Sequence, residues 1–107
     1  MNGTYLRFYV HENRKHHGML LYEWLLEAAK NAGILGGSAF RAIAGYGRHG
    51  VLHEQHFFEL AGDVTVEVEF VVTEEDAAKL LELIGRDQIR LFYAKVPAQF
   101  GMLPGKD

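Results

Sequence analysis

The chain has 107 residues, of which 49% are hydrophobic and 23% are charged, so its length and composition fit one globular domain. Its net charge of −3 argues against nucleic acid as a partner, because proteins that bind DNA or RNA usually carry a basic excess. The absence of cysteine excludes disulfides, thiolate zinc sites and cysteine nucleophiles within this chain. No charged leader precedes a long apolar run, and no apolar stretch reaches the roughly 18 residues of a membrane span. We therefore expect a cytoplasmic protein without membrane insertion.

A strand followed by a loop is predicted for the start of the chain. Residues 4–11 alternate, with Leu6, Phe8 and Val10 pointing to one face, and this period of two is typical of a β-strand. Residues 12–18 are polar and basic, so they predict a loop.

A helix and a second strand are predicted next. Residues 19–32 carry apolar side chains at helical spacing, and Gly33 stands where a left-handed C-terminal cap is expected. The Gly36-Gly37 pair predicts a turn, and residues 38–46 predict a strand.

The second half of the chain repeats this pattern. Residues 64–72 alternate cleanly and give the clearest strand, with a further short strand predicted at 56–60. Thr73, followed by three acidic residues, predicts the N-cap of a second helix that ends at Gly85. Residues 88–96 predict the last strand.

The order of these elements predicts the fold class. A β-α-β-β-α-β order is typical of an α+β, ferredoxin-like βαββαβ sandwich, in which two helices cover one face of a four-stranded antiparallel sheet. We assign residues 1–97 to this single domain. Residues 98–107, which contain further glycine and proline, are assigned to a C-terminal tail.

The face of the sheet that the helices leave uncovered has a distinct composition. It is predicted to carry Tyr5, Arg7, Tyr9, Glu67 and Glu69. The first and third strands are neighbours in this fold, so we expect Arg7 beside Glu67 or Glu69. Two interpretations stay open from the residues alone: a solvated face with mixed charges, or a contact between subunits, in which tyrosine and arginine are common.

A glycine-rich segment offers the main candidate for ligand binding. Gly45-Tyr46-Gly47-Arg48-His49-Gly50 matches the glycine pattern of dinucleotide-binding loops, but the 57 residues that follow are too few for a doubly wound sheet. The segment is either a turn in a long β-hairpin or a loop that binds an anion through converging backbone N–H groups. Arg41 and Arg90 are further candidates for the positive environment of such a ligand.

The chain has six histidines, and imidazole is a common metal ligand. His49, His53 and His56 lie close together in sequence, and His16-His17 form a second pair, but the spacing matches no zinc signature. The alternative to a metal site is that His49, His53 and His56 are exposed loop residues that bind no metal. No Ser–His–Asp arrangement or Walker loop is present, so we expect a protein that is not an enzyme.

Three stretches of the chain resemble the PII-like family catalogued as domain of unknown function 190. They are Tyr5-Leu6-Arg7-Phe8-Tyr9-Val10-His11-Glu12, then Leu21-Tyr22-Glu23 with Ala32-Gly33-Ile34, and Ile43-Ala44-Gly45-Tyr46-Gly47-Arg48-His49-Gly50. The resemblance runs from about residue 4 to residue 96. It implies a fold similar to that of the PII signal proteins, which assemble as homotrimers with their sheets facing inward.

The resemblance also implies a function. PII proteins bind adenine nucleotides in clefts between subunits, through loops that correspond here to residues 45–60 and to Gly85-Arg86-Asp87. This implies a regulatory or ligand-sensing protein that binds an adenine nucleotide or another anion between subunits, with no other cofactor. The 45–60 loop would then dock a regulated partner protein. The alternative is a divalent-metal-binding trimer of the CutA type that uses the loop histidines.

Overall fold

A computed structural model describes residues 1–45 and 64–106 of the chain. Within these ranges the elements are β1 (Asn2–His11), β2 (Lys15–His16), β3 (Met19–Leu20), α1 (Leu21–Asn31), β4 (Ser38–Arg41), β5 (Thr65–Val72), α2 (Glu74–Arg86) and β6 (Phe92–Gln99).

The four longer strands form one antiparallel sheet in the order β4-β5-β1-β6. The central pair is β1 and β5, in a register that places Phe8 opposite Val68 and Arg7 opposite Glu69. Because the first and third long strands are neighbours at the centre of the sheet, the strand order is that of a ferredoxin-like fold. The predicted α+β class, with a four-stranded antiparallel sheet and two helices, is confirmed.

The hydrophobic core lies between the sheet and the two helices. The central strands bury alternate side chains, as their sequence pattern predicts, and the Phe8 and Phe70 rings meet edge to face with centroids 6.2 Å apart. Both helices bury one apolar stripe against this layer: Leu21, Leu25 and Ala29 from α1, and Ala77, Leu80 and Ile84 from α2. Each fully buried leucine or phenylalanine contributes about 1.5–3 kcal/mol, so this interface is the main source of stability.

Local capping interactions fix where the helices begin and end. At the end of α1, Gly33 has a φ of 90°, its N–H donates to the Lys30 carbonyl, and the N–H of Ile34 donates to the Ala29 carbonyl. This pair of bonds is a Schellman motif, and it confirms the predicted glycine cap. At the start of α2, the Thr73 hydroxyl accepts a hydrogen bond of 3.1 Å from the Asp76 N–H, as predicted for an N-cap.

The predicted boundaries of the first helix and the second strand need correction. The loop predicted at 12–18 contains β2, which pairs with β3 in a small hairpin, so α1 begins at Leu21 instead of residue 19. Strands of two residues are too short to show any periodicity. The second strand is also shorter than predicted, since it ends at Arg41. The short strand predicted at 56–60 lies outside the described residues.

The last helix and strand are displaced along the chain from their predicted positions. The second helix continues past Gly85 to Arg86, and β6 spans Phe92–Gln99 instead of 88–96. Pro97 therefore lies inside the strand, opposite Thr4 of β1. A proline is tolerated there because β6 is an edge strand, where a missing N–H donor need not break the ladder.

Neither helix in the described part of the chain is long and apolar enough to cross a membrane.

Candidate functional site

The five residues predicted on the uncovered face form one polar network around Arg7. Its Nη2 donates to the Tyr5 hydroxyl at 2.8 Å and its Nη1 donates to the Tyr9 hydroxyl at 3.2 Å. Arg7 Nε lies 3.1 Å from Glu69 Oε2 and 3.7 Å from Glu67 Oε1. The Tyr5 hydroxyl in turn donates to Glu69 Oε1 at 2.6 Å. The predicted pairing of Arg7 with these glutamates is therefore present.

The electrostatics of this network favour a permanently charged arginine. The hydrogen bonds to Tyr5, and then to Tyr9, raise the pKa of the Arg7 guanidinium above its usual value. Its Nε is shielded from solvent and makes a close ion-pair contact with Glu69 without an aligned hydrogen bond. A shielded guanidinium N–H without an aligned hydrogen bond is costly, and the nearby carboxylates of Glu69 and Glu67 offset part of that cost.

Exposed apolar side chains surround the Arg7 network. Phe40 of β4 is 53% exposed, Val71 of β5 is 52% exposed, and Val96 of β6 is 49% exposed. The register sets each of them opposite a network residue, so they share its face. The Phe92 ring also lies on this face, with its centroid 5.2 Å from that of Tyr9. We call this surface the open face: the Arg7 network together with Phe40, Val71, Phe92 and Val96.

One end of the sheet holds the base of the glycine-rich segment. The Ala42 N–H donates to the Thr65 carbonyl and the Glu12 N–H donates to the Val64 carbonyl, each at 2.9 Å. These bonds tie the chain to the sheet on both sides of residues 46–63. Gly45, the last described residue before that range, is exposed at the same end.

Arg41 lies at this end and is paired with an acid. Its guanidinium forms hydrogen bonds with both carboxylate oxygens of Glu12. This contact holds the pKa of the Glu12 carboxyl below its usual value and raises that of Arg41. The Arg41 side chain is 64% exposed, so it stays accessible to an anion from solution.

Arg90 lies at the same end of the sheet but at the opposite edge. It precedes β6, and its carbonyl accepts a hydrogen bond of 2.8 Å from Arg14 Nη1. The strands β4 and β6 are the two outer strands, so three inter-strand spacings, roughly 14 Å, separate the backbones of Arg41 and Arg90. One copy of the chain therefore does not bring the two arginines together.

The remaining predicted ligand and metal candidates lie outside the described residues: Tyr46, Gly47, Arg48, His49, Gly50, His53 and His56.

A second polar cluster joins the β2–β3 hairpin to the end of α2. His16 Nε2 lies 2.8 Å from Asp87 Oδ2, and His17 Nε2 lies 3.3 Å from the same oxygen. The hydrogen bond from His16, followed by that from His17, holds the pKa of Asp87 below its usual value. The Trp24 ring stands edge-on to His16 with centroids 4.7 Å apart. The histidine pair was visible in the sequence, but its partner is 70 residues away, and no local pattern links them.

Comparisons with known proteins agree on one family. The sequence model of DUF190, described as "Uncharacterized ACR", matches residues 3–87, which include the central strands and the His16–His17–Asp87 cluster. A UPF0166 protein of Aquifex aeolicus is 38% identical over 79 residues, which cover 74% of this chain and 75% of the relative. A UPF0166 protein of Methanocaldococcus jannaschii is 34% identical over 76 residues, which cover 71% and 69%, respectively.

Proposed function

The chain belongs to the DUF190 family, and we propose that it is a cytoplasmic regulatory protein without catalytic activity. In this proposal it works as a homotrimer and senses a small anionic ligand, either an adenine nucleotide or another anion, bound between copies. Residues 45–60 would dock the regulated partner protein. The observation that supports the proposal best is the open face, a sheet surface that combines exposed aromatic and aliphatic side chains with an internally paired charge network.

The open face has the composition of a protein–protein contact. Contiguous exposed apolar surface is uncommon on monomers and marks interaction sites. At its centre Arg7 lies 3.1 Å from Glu69 and 3.7 Å from Glu67 within one chain, so one of the two carboxylate charges is compensated before contact. Pairing before contact matters because an unpaired charge buried at an interface costs several kcal/mol. The face is therefore suited to packing against further copies of itself around a symmetry axis.

The positions of Arg41 and Arg90 support a ligand site between copies. In a cyclic assembly each contact joins two different sides of the protomer, and in our proposal these sides are the β4 edge of one copy and the β6 edge of the next. Such a contact brings together the two arginines that a single copy keeps apart. Arginine guanidinium groups bind phosphate oxygens bidentately. Because the net charge of the chain is −3, attraction of an anion must come from this local placement.

The ligand site and the docking segment are adjacent in this arrangement. Arg41 lies beside Ala42, where the chain is tied to the sheet before residues 46–63 begin. A ligand that replaces Glu12 as the partner of Arg41 would change the contacts at the base of the segment. Ligand binding could regulate docking in this way, since a ligand shifts a conformational equilibrium when its affinity for the two states differs.

Two measurements test the proposal. Light scattering at micromolar concentration should give three times the chain mass of 12.1 kDa, and a monomer mass would contradict the assembly. Calorimetry with ATP, ADP, AMP and cyclic AMP should give a micromolar dissociation constant for at least one of them, about −8 kcal/mol. If none of them binds below millimolar concentration, the nucleotide part of the proposal fails while the assembly can still stand.

A further inference from the structure

The β2–β3 hairpin holds two neighbouring imidazoles in an unusual arrangement. Consecutive side chains of a strand point to opposite faces, yet the rings of His16 and His17 have centroids only 4.0 Å apart. The reason is the two-residue turn, in which His17 and Gly18 both have positive φ angles of 52° and 80°. Asparagine is the usual residue at this turn position, and histidine is another residue that adopts the left-handed conformation more often than most.

The third member of the cluster occupies an electrostatically unfavourable place. Asp87 is the C-terminal cap of α2, at the end toward which the carbonyl groups of the helix point. The helix dipole favours cations at that end and disfavours a carboxylate. A positive partner for Asp87 offsets this cost. The only groups whose nitrogen atoms approach Asp87 Oδ2 in the described contacts are the two imidazoles.

We propose that His16, His17 and Asp87 form a binding site for a divalent transition metal ion of the Zn²⁺ or Ni²⁺ type. Their ligand atoms all lie within 4.8 Å of one another. Zinc bonds of about 2.0–2.2 Å in tetrahedral geometry place ligand atoms roughly 3.3–3.5 Å apart, so small rotations of these side chains complete the site. Two imidazoles and one carboxylate suit zinc and nickel, and they leave a position for water or for an outside ligand.

Access and proton balance are consistent with an ion that enters from solution. The side chains of His16, His17 and Asp87 are 19%, 68% and 35% exposed, respectively. A neutral imidazole that donates its Nε2–H to Asp87 takes the Nδ1–H tautomer when its Nε2 binds the ion, and a proton is released to solvent only from an imidazole that was protonated. The bound ion would then link the hairpin before α1 to the end of α2. This site uses different residues from His49, His53 and His56, and all of its ligands come from one copy.

The single tryptophan of the chain provides a direct readout. Trp24 touches His16, so Ni²⁺ bound at the cluster should quench its fluorescence, and Zn²⁺, which does not quench, should compete and restore it. The measurement uses the full chain without a histidine tag. Zinc calorimetry on the same protein gives an independent affinity. We expect a single site per chain that saturates at micromolar metal in both measurements.

Three variants decide the assignment. His17→Asn removes one ligand but keeps a residue that favours the turn, so the variant should melt no lower than the wild type. Its metal affinity should fall at least about a hundredfold, because losing a ligand costs more than losing a residue that only supports a ligand. Asp87→Asn should weaken binding similarly. The triple variant His49→Ala, His53→Ala and His56→Ala should keep wild-type affinity. The proposal is overturned if the wild type binds neither ion below millimolar concentration, if His17→Asn and Asp87→Asn bind normally, or if only the triple variant loses binding.

Discussion

Arg7 and Glu69 stand directly opposite each other on the two central strands, and Arg7 Nε lies 3.1 Å from Glu69 Oε2. The contact follows from the register of β1 with β5, which also brings Glu67 within 3.7 Å of the same nitrogen. It places the most strongly polar group of the sheet at the centre of an otherwise apolar, exposed surface. Assembly through the open face would therefore depend on the charge at position 7.

Reversing the charge at position 7 should break the assembly. Arg7→Glu sets a third carboxylate beside Glu67 and Glu69, and breaking a buried ion pair costs roughly 3–5 kcal/mol. Light scattering should then give the monomer mass of 12.1 kDa in place of three times that value. Lys30→Glu, the same charge change on the exposed last turn of α1, is the control and should leave the mass unchanged. An Arg7→Glu variant with the same mass as the wild type would contradict an interface on the open face.

Much of the sheet could be predicted because its signals are local or follow from topology. The alternation of β1 and β5 fixes which side chains are buried, and the ferredoxin-like order makes these strands neighbours. The Arg7 network follows from those two facts. The caps at Thr73 and Gly33 are local signals as well, since each depends on residues within one helical turn.

The features that could not be predicted depend on long-range contacts or on edge positions. The contact of His16 with Asp87 joins residues 71 apart, through a hairpin whose strands are too short to show periodicity. The sequence predicts the last strand over residues 88–96, whereas β6 continues through Pro97 to Gln99. An edge strand accepts proline, and only the tertiary structure reveals which strand lies at the edge.

Two glycines at the ends of the helices should respond to alanine in opposite directions. Gly33 has a φ of 90°, so Gly33→Ala forces a side chain into the left-handed region and should lower the free energy of unfolding by about 1 kcal/mol. Gly85 lies inside α2 with open space around its Cα, so Gly85→Ala should raise the free energy of unfolding by about 0.5–1 kcal/mol. Urea denaturation at one fixed protein concentration measures both. Equal effects of the two substitutions would contradict the role of Gly33 as a cap.

The first turn of α2 should make stability depend on pH. The buried Thr4 hydroxyl donates to Glu74 at 2.5 Å, and this bond, followed by that from Lys95, holds the pKa of the Glu74 carboxyl below its usual 4.5. A group with a lowered folded-state pKa stabilises the fold above its unfolded-state pKa, and the effect is lost as pH falls through the folded-state pKa. Glu74→Gln should therefore melt below the wild type at pH 6–7, and the difference should shrink as pH falls below about 4. A difference that stays constant from pH 7 to pH 3 would contradict this assignment.

The position of the ligand site between copies can be tested by mixing two variants that each bind the nucleotide weakly. If an anion binds Arg41 of one copy and Arg90 of the next, Arg41→Ala and Arg90→Ala should each weaken adenine nucleotide binding about 10- to 100-fold, the usual effect of losing a hydrogen bond to a charged group. In a mixed trimer, one cleft of the three pairs an intact Arg41 with an intact Arg90. If equal amounts of the two variants assemble at random, about three quarters of the trimers are mixed. Co-expression should therefore restore wild-type affinity in about one quarter of all clefts. Calorimetry of the mixture reports this as a small number of tight sites. If the mixture shows no tight sites while each variant alone is impaired, the two arginines do not share a cleft between copies.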